Sequence, residues 1–271
     1  MVNRRLLYSS TAVAGLALLL TAGPAAGPQA QQAAPAPVQI DGDDIGGVVS
    51  GKAGPEAGVW VIAETSDLGT RFAKIVVTDD RGRYVIPDLP QATYRVWVRG
   101  YGLVDSPKVT SPRGRIVNLN AVPAPTAAAA AEYYPAIYWF SMLRIPDRSM
   151  FPGTGPDGNG MPVAYRTQEQ WLNAVQLNGC GNCHQLGDKA TREIPAALGT
   201  FTSSRDAWQR RLLSGPGGSS MARFIALMNT GDGGHLRRLA EWTDRIRAGE
   251  LPASVPPRPQ DRKSTRLNSS H

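Results

Sequence analysis

Hydrophobic and polar residues follow three different patterns along this chain. Residues 6–20 are mainly apolar and follow two arginines. Between residues 38 and 122, short runs alternate apolar and polar positions, which is typical of β-strands. From Thr167 onward, apolar residues recur at spacings of three and four, which indicates amphipathic helices. The pattern therefore predicts a β-module followed by a small all-α module.

Six runs in the β-module predict strands, because they are rich in β-branched and aromatic residues and are separated by Gly, Pro and Asp. Short strands at such close spacing predict an antiparallel β-sandwich over residues 38–122. The six predicted strands cover residues 45–50, 59–64, 72–78, 84–86, 94–98 and 116–119.

The N-terminal segment, residues 1–30, predicts an export signal. Arg4 and Arg5 precede the apolar run, and small residues follow it around Gly23, which is the order of a cleavable signal. An uncleaved membrane anchor is the alternative, although about fifteen residues are few for a spanning helix. We therefore expect an exported protein, periplasmic or extracellular, with a linker over residues 31–37.

The C-terminal residues 261–271 can be spelled codon for codon by a standard short-read sequencing adapter. We interpret them as translated adapter sequence, which is set aside in reasoning about the fold. The hypothesis implies that the natural gene continues beyond Gln260. Residues 253–260 are then predicted to be a linker to a further region.

The formal net charge of the chain says less about its partners than the counts of charged residues suggest. The chain has 29 Lys and Arg against 22 Asp and Glu, a formal charge of +7. Much of this excess lies in the predicted signal and the predicted adapter segment, and the predicted sandwich is neutral, with ten acids and ten bases. We therefore do not expect nucleic acid as a partner. With two Cys, the chain is not a disulfide scaffold.

The β-module resembles a carboxypeptidase regulatory-like domain, a small transthyretin-like sandwich. The matching motifs are G-V-V at 47–49, T-D-D-R-G-R-Y at 78–84, L-P-Q-A-T-Y at 89–94 and V-W-V at 96–98. Ala92 departs from the glycine that the family usually has there. The resemblance implies an accessory module with an adhesion, spacer or carbohydrate-contacting role. No peptidase activity carries over, and the segment has neither His nor Cys.

Residues 123–132 are predicted to be a Pro/Ala linker, and residues 133–165 an irregular connector. A capping box over residues 167–170 then starts a helix whose apolar face includes Trp171. We expect the last helix to begin at His235 and to pack on the helix of Trp171. The all-α module is predicted to cover residues 166–252.

The sequence Cys180-Gly181-Asn182-Cys183-His184 is the C-x-x-C-H signature for covalent attachment of c-type haem. The spacing places both thiols on one helical turn, where each can bond one vinyl group, and the adjacent imidazole can bind the iron. A redox disulfide would not require His184, and a structural zinc site would require four ligands. A chance occurrence is the remaining alternative, yet both cysteines of the chain fall in this motif.

The module after residue 166 is similar to a single-haem cytochrome c domain, by this signature and the I-P-A-A-L-G loop at 194–199. The resemblance implies one covalent haem c, with His184 as an iron ligand and the Pro195 carbonyl accepting its ring N–H. It implies Met221, in a loop before the last helix, as the second iron ligand. Met228, interpreted as a core residue, and His235, alternatively an exposed cap, remain candidates, as does an open site.

These observations predict single-electron transfer to a redox partner of unknown identity, with no catalytic site in this fragment. The alternatives are an electron-accepting or structural domain of a larger enzyme, and a haem-based sensor with an exchangeable ligand. The arrangement resembles bacterial multidomain proteins that continue into a β-propeller similar to virginiamycin B lyase. Whether the whole protein is an enzyme stays open.

Overall fold

The computed structural model describes residues 37–228 and 234–259. The predicted export signal, most of the first linker and the adapter-like tail lie outside the described residues. No helix within the described ranges combines the length and the apolar composition needed to cross a membrane.

The first half of the described chain forms two main β-sheets that share one apolar core, and its seventh and eleventh strands form a separate two-stranded sheet. The strands are β1 (Ile45–Gly51), β2 (Gly54–Pro55), β3 (Trp60–Thr65), β4 (Phe72–Val77), β5 (Arg83–Ile86), β6 (Thr93–Arg99), β7 (Leu103–Val104), β8 (Val109–Pro112), β9 (Arg115–Ile116), β10 (Leu119–Asn120) and β11 (Val122–Pro123).

Strand β1 is the centre of the first sheet. It pairs antiparallel with β2 and β5, and parallel with β9 and β10. The second sheet has the order β4-β3-β6-β8 and is antiparallel throughout. Alternate residues of both sheets, such as Val49, Val61 and Val96, are fully buried between them. The predicted antiparallel sheet module is therefore confirmed in its coarse form.

The last predicted strand differs from the expectation. Residues 116–119 are divided between β9 and β10, and the break at Val117 and Asn118 is used for side-chain bonding. The buried Tyr84 hydroxyl donates to the Val117 carbonyl at 2.6 Å, and the Val48 N–H donates to Asn118 Oδ1 at 3.0 Å. These bonds join the segment to β1 and β5 in place of a continuous ladder.

The region predicted as a Pro/Ala linker and an irregular connector contains helices. Helix α1 (Ala127–Ala131) begins at Thr126, whose hydroxyl accepts the Ala129 N–H at 3.1 Å. Helix α2 (Ala136–Phe140) follows, and a single 3₁₀ turn covers Arg148–Met150. Alanine has the highest helix propensity, and Ala131 is buried, so the linker interpretation is wrong for this stretch.

Six further helices complete the described chain. They are α3 (Gln168–Asn173), α4 (Cys180–Cys183), α5 (Lys189–Arg192), α6 (Ser204–Leu212), α7 (Gly218–Met228) and α8 (Gly234–Arg247). The Ser203 hydroxyl accepts the Asp206 N–H at 3.1 Å and so begins α6, as expected of a serine cap. Together with the sheets, these helices give a mixed β and α fold class.

Buried tryptophans organise the helical core. The Trp242 indole N–H donates to the Trp139 carbonyl at 2.9 Å, and that of Trp208 donates to the Thr243 hydroxyl at 2.9 Å. Trp171 and Trp242 are both buried in one cluster, and the Trp171 ring contacts His235 of α8. The predicted packing of the last helix on the helix of Trp171 is confirmed.

The sandwich and the helical region contact each other. Trp60 packs edge-on against Tyr101 at 4.9 Å between ring centroids, and Tyr101 against Tyr134 at 6.1 Å. The C-terminal strap, residues 252–259, returns to the sandwich, where Arg258 pairs with Glu56 and donates to the Tyr101 carbonyl. The end of the segment predicted as a linker over residues 253–260 therefore contacts the sandwich, at Arg258 and Pro259.

Candidate functional site

The segment before the C-x-x-C-H motif changes its helical pitch. The Thr167 hydroxyl accepts the Gln170 N–H at 3.2 Å, which starts α3 as expected. The Gln170 side chain accepts the N–H of Arg166, one residue before the cap. A π-turn over Ala174–Asn178 follows, and Gly179 ends it with a non-helical backbone. The motif therefore begins on a new helical turn rather than continuing α3.

The two thiols and the histidine of the motif lie on and beside that turn. Cys180 and Cys183 are the ends of α4, and both are free. His184 directly follows the helix and has an extended backbone, and its N–H donates to the Cys180 carbonyl at 2.9 Å. Cys183 and His184 are exposed, whereas burial raises the pKa of the Cys180 thiol to about 11.

Two glycines beside Cys180 allow close approach of other groups. A Cβ atom at Gly179 would overlap the ring of Phe224 on α7, and one at Gly181 would overlap the Gln176 carbonyl. The α7 helix thus lies directly against the start of the motif. Sequence reasoning missed this contact, although the glycine on each side of Cys180 was the available signal.

The loop after the motif is fixed by a buried arginine that sequence reasoning also missed. Arg192 lies over the Trp139 ring at 4.1 Å, and its guanidinium donates to the Gly187 carbonyl at 3.0 Å. Burial lowers its pKa, and an ion pair with Glu193 partly opposes that effect. Its position in a polar run gave no signal that it would be buried.

Pro195 directly precedes a 3₁₀ turn, Ala196–Leu198, in the loop after the motif. Its carbonyl accepts the Leu198 N–H at 3.0 Å, and no hydrogen bond in the described chain joins it to His184. Pro195 lines a cavity of about 260 Å³ together with Phe201 and Arg247, and the motif does not line that cavity. The orienting role for Pro195 stays a prediction.

Met221 lies in a helix and not in a loop as predicted. It occupies the first turn of α7, and its N–H donates to the Gly217 carbonyl at 3.0 Å. The helix forms because Met221, Ile225 and Met228 recur at helical spacing and pack on the helical core. Its partly buried thioether is on the helix that contacts Gly179. Its role as an iron ligand stays a prediction.

Met228 is a core residue, as interpreted from its apolar run. It is buried, and its sulfur accepts a hydrogen bond from the Tyr165 hydroxyl at 2.8 Å. The Met228 sulfur therefore already accepts a hydrogen bond inside the protein. Among the two methionines considered as ligands, Met221 therefore keeps the freer sulfur.

His235 is buried, so its interpretation as an exposed cap is wrong. Its ring packs against Trp171 at 5.4 Å and Phe224 at 6.4 Å between centroids. It faces inward because it shares the stripe of Leu239 and Trp242 on α8. Neither ring nitrogen has a hydrogen-bond partner among the described residues. Burial, and then the charge of Arg238, lowers its pKa to about 4.

The donor set and its surroundings fit a covalently attached haem. The two free thiols and the exposed imidazole are the groups that such attachment requires. Large apolar side chains are exposed on the two elements that adjoin the motif: Leu177 in the π-turn and Leu227 on α7 are 63% and 65% exposed. An apolar macrocycle beside the motif would cover side chains of this kind.

Comparison with known proteins adds no family. A scan of the chain against protein-family models finds no match, and a search of curated proteins finds no similar sequence. The resemblances therefore rest on the motifs themselves.

Proposed function

We propose that this chain is an exported c-type haem protein that transfers single electrons. One haem c would be bonded through thioethers to Cys180 and Cys183, and His184 would be its first iron ligand. The observation that carries the proposal is the helical turn on which both cysteines of the chain meet an exposed histidine. The exposed leucines on the π-turn and on α7, the two elements that adjoin this turn, support it.

The chain's own residues have distinct roles in the proposal. Bound haem supplies a one-electron iron couple. The thioethers fix the macrocycle to a short rigid turn, so no deep pocket is required. Phe224 positions that turn from behind, and the buried Arg192 holds the following loop. Met221 is the proposed second ligand, because a thioether raises the reduction potential relative to a second imidazole.

The sandwich is proposed to be an accessory module that is joined rigidly to the haem region. The tyrosines at their contact and the Arg258 strap support this role. A redox partner would approach the exposed side of the motif, since His184 and Cys183 face solvent there. Export places the motif in the compartment where c-type haem is attached.

The proposal is tested on the full chain produced with a haem-maturation system. We expect covalently bound haem with a reversible reduced-minus-oxidised spectrum, and complete loss of covalent haem in the Cys180→Ser, Cys183→Ser double variant. Met221→Ala should lose the Met–iron charge-transfer band, whereas the matched Met228→Leu variant should keep it. Absence of covalent haem in the unmodified protein would sink the proposal. Rapid carbon monoxide binding by the unmodified protein would instead favour a sensor.

A further inference from the structure

The outer face of the four-stranded sheet carries an unusual group of charges. The strand register puts Glu64 of β3 beside Arg95 of β6, and Ile62 beside Trp97. Their sequence neighbours Val61, Ala63, Val96 and Val98 are buried in the sandwich core. Because side chains alternate along a strand, Glu64, Arg95 and Trp97 all lie on the opposite, outer face.

One buried carboxylate on this face is contacted by three cations. Arg71 contacts Glu64 at 2.9 Å, Arg95 at 3.0 Å and Lys108 at 2.7 Å. The Glu64 side chain is 4% exposed, but those of Arg71, Arg95 and Lys108 are 78%, 55% and 40% exposed. The hydrogen bond from Lys108, opposed by burial, lowers the pKa of Glu64, so the carboxylate is ionised at neutral pH.

The charges in this group do not balance. Arg71 and Arg95 each contact Glu64 through one guanidinium nitrogen, and Glu64 is the only carboxylate paired with either arginine in the described chain. On the same strand, Arg99 Nε and Nη2 each donate to one carboxylate oxygen of Asp105, at 2.8 and 2.7 Å. The Glu64 group therefore retains a net positive charge, whereas the Arg99–Asp105 pair is neutral.

An aromatic and apolar strip lies next to the cations. The Lys108 ammonium lies 3.9 Å from the centroid of the Trp97 ring. Trp97 is 4% exposed, and its indole N–H is buried without a hydrogen-bond partner among the described residues. Ile75, which pairs with Ile62 in the next strand, is 56% exposed. A buried unpaired donor beside surplus cations is a feature that a bound acceptor would satisfy.

We propose that this face, formed by Arg71, Arg95 and Lys108 around Glu64 with Trp97 and Ile75 beside them, binds an acidic polysaccharide. Guanidinium forks match carboxylates in geometry and charge. The carboxylates of the polysaccharide can accept from the exposed guanidinium groups of Arg71 and Arg95, and the C–H face of a sugar ring can pack on Ile75. The inference concerns the sandwich and is independent of the haem chemistry.

The test measures binding of the full chain to polygalacturonate, with dextran as the neutral glycan. We expect binding to polygalacturonate that weakens with added salt, and no binding to dextran. The Arg71→Ala, Arg95→Ala double variant should bind at least tenfold more weakly. Lys108 still pairs with the buried Glu64 in this variant, so it should fold, which its thermal unfolding curve would verify.

A matched control separates a site from general charge attraction. Arg81→Ala, Arg115→Ala removes the same charge from exposed positions of the sandwich outside this face, and its affinity should stay within twofold of the unmodified protein. The inference is overturned if polygalacturonate does not bind, or if both double variants weaken binding equally. Equal affinity for vesicles of phosphatidylglycerol would also overturn it, because charge alone would then explain the binding.

Discussion

The sandwich and the helical region are stabilised by different kinds of contact. In the sandwich, backbone ladders join the strands, and aliphatic residues such as Ile45 and Val61 fill the core. In the helical region, most helices are short, and the indole N–H groups of Trp208 and Trp242 donate to the Thr243 hydroxyl and the Trp139 carbonyl, which are distant in sequence. Trp242 and Trp139, for example, bond across 103 positions of sequence. The comparison shows that backbone ladders and aliphatic packing stabilise one region, whereas side-chain hydrogen bonds between remote segments stabilise the other.

The substitution with the largest expected effect on stability tests whether the two regions are stabilised by separate sets of contacts. Trp242→Ala removes a buried indole and its hydrogen bond, which costs about 4 kcal/mol of folding free energy. Hydrogen exchange measured by mass spectrometry should show faster exchange in α3 and α6–α8 and little change in β1, β3 and β6. Uniform acceleration over both regions would contradict the comparison. Ile75→Ala, at an exposed position of the sandwich, is the control and should change stability by less than about 0.5 kcal/mol.

A second expected effect is a dependence of stability on pH that arises in the helical region. Because the pKa of His235 falls from 6.5 to about 4 on folding, the unfolded chain binds a proton between these values that the folded chain does not. The stabilising contribution is complete above pH 6.5 and is lost as the pH falls toward 4. It amounts to about 3 kcal/mol.

Urea unfolding of the unmodified protein and of His235→Leu between pH 4 and pH 7 measures this contribution. The difference in unfolding free energy between the two proteins should change with pH in that window and level off above it. A constant difference would show that His235 does not titrate as its burial implies.

The smallest expected effect concerns the connection between the regions. Arg258→Ala removes the ion pair with Glu56 and the bond to the Tyr101 carbonyl, both near the surface. We expect a loss below about 1 kcal/mol in global stability, because exposed ion pairs contribute little. Limited proteolysis should nevertheless cleave the C-terminal strap faster. Arg247→Ala, on an exposed part of α8, is the matched control and should leave the cleavage rate of the strap unchanged.

Local patterns predicted the sandwich better than its surroundings. Five of the six predicted strands lie within one or two residues of the strands in the structure, because alternation and turn residues act over a few positions. The exception is the segment at Val117 and Asn118, whose bonds to Tyr84 and Val48 come from remote parts of the chain. The alanines at 127–131 were misassigned because composition describes a linker and a helix equally well there.

The candidate site also combines features that the sequence predicted with features that it could not predict. The C-x-x-C-H spacing predicted that the two cysteines share one helical turn, and the structure places them so. It could not predict that Phe224 lies on Gly179, that His235 is buried behind it, or that Arg192 fixes the following loop. Each of these contacts depends on how α2, α7 and α8 pack around the motif.

The sequence by itself determined the mixed β and α composition, the positions of five of the eleven strands and the sharing of one helical turn by Cys180 and Cys183. These properties follow from short-range patterns, in which side-chain periodicity and spacing decide the outcome. Only the tertiary structure decided that α7 packs against Gly179, that His235 is buried, and that Glu64 is paired with three cations on the outer face of a sheet. Those outcomes depend on burial and on charges brought together from separate strands and helices, which no local pattern records.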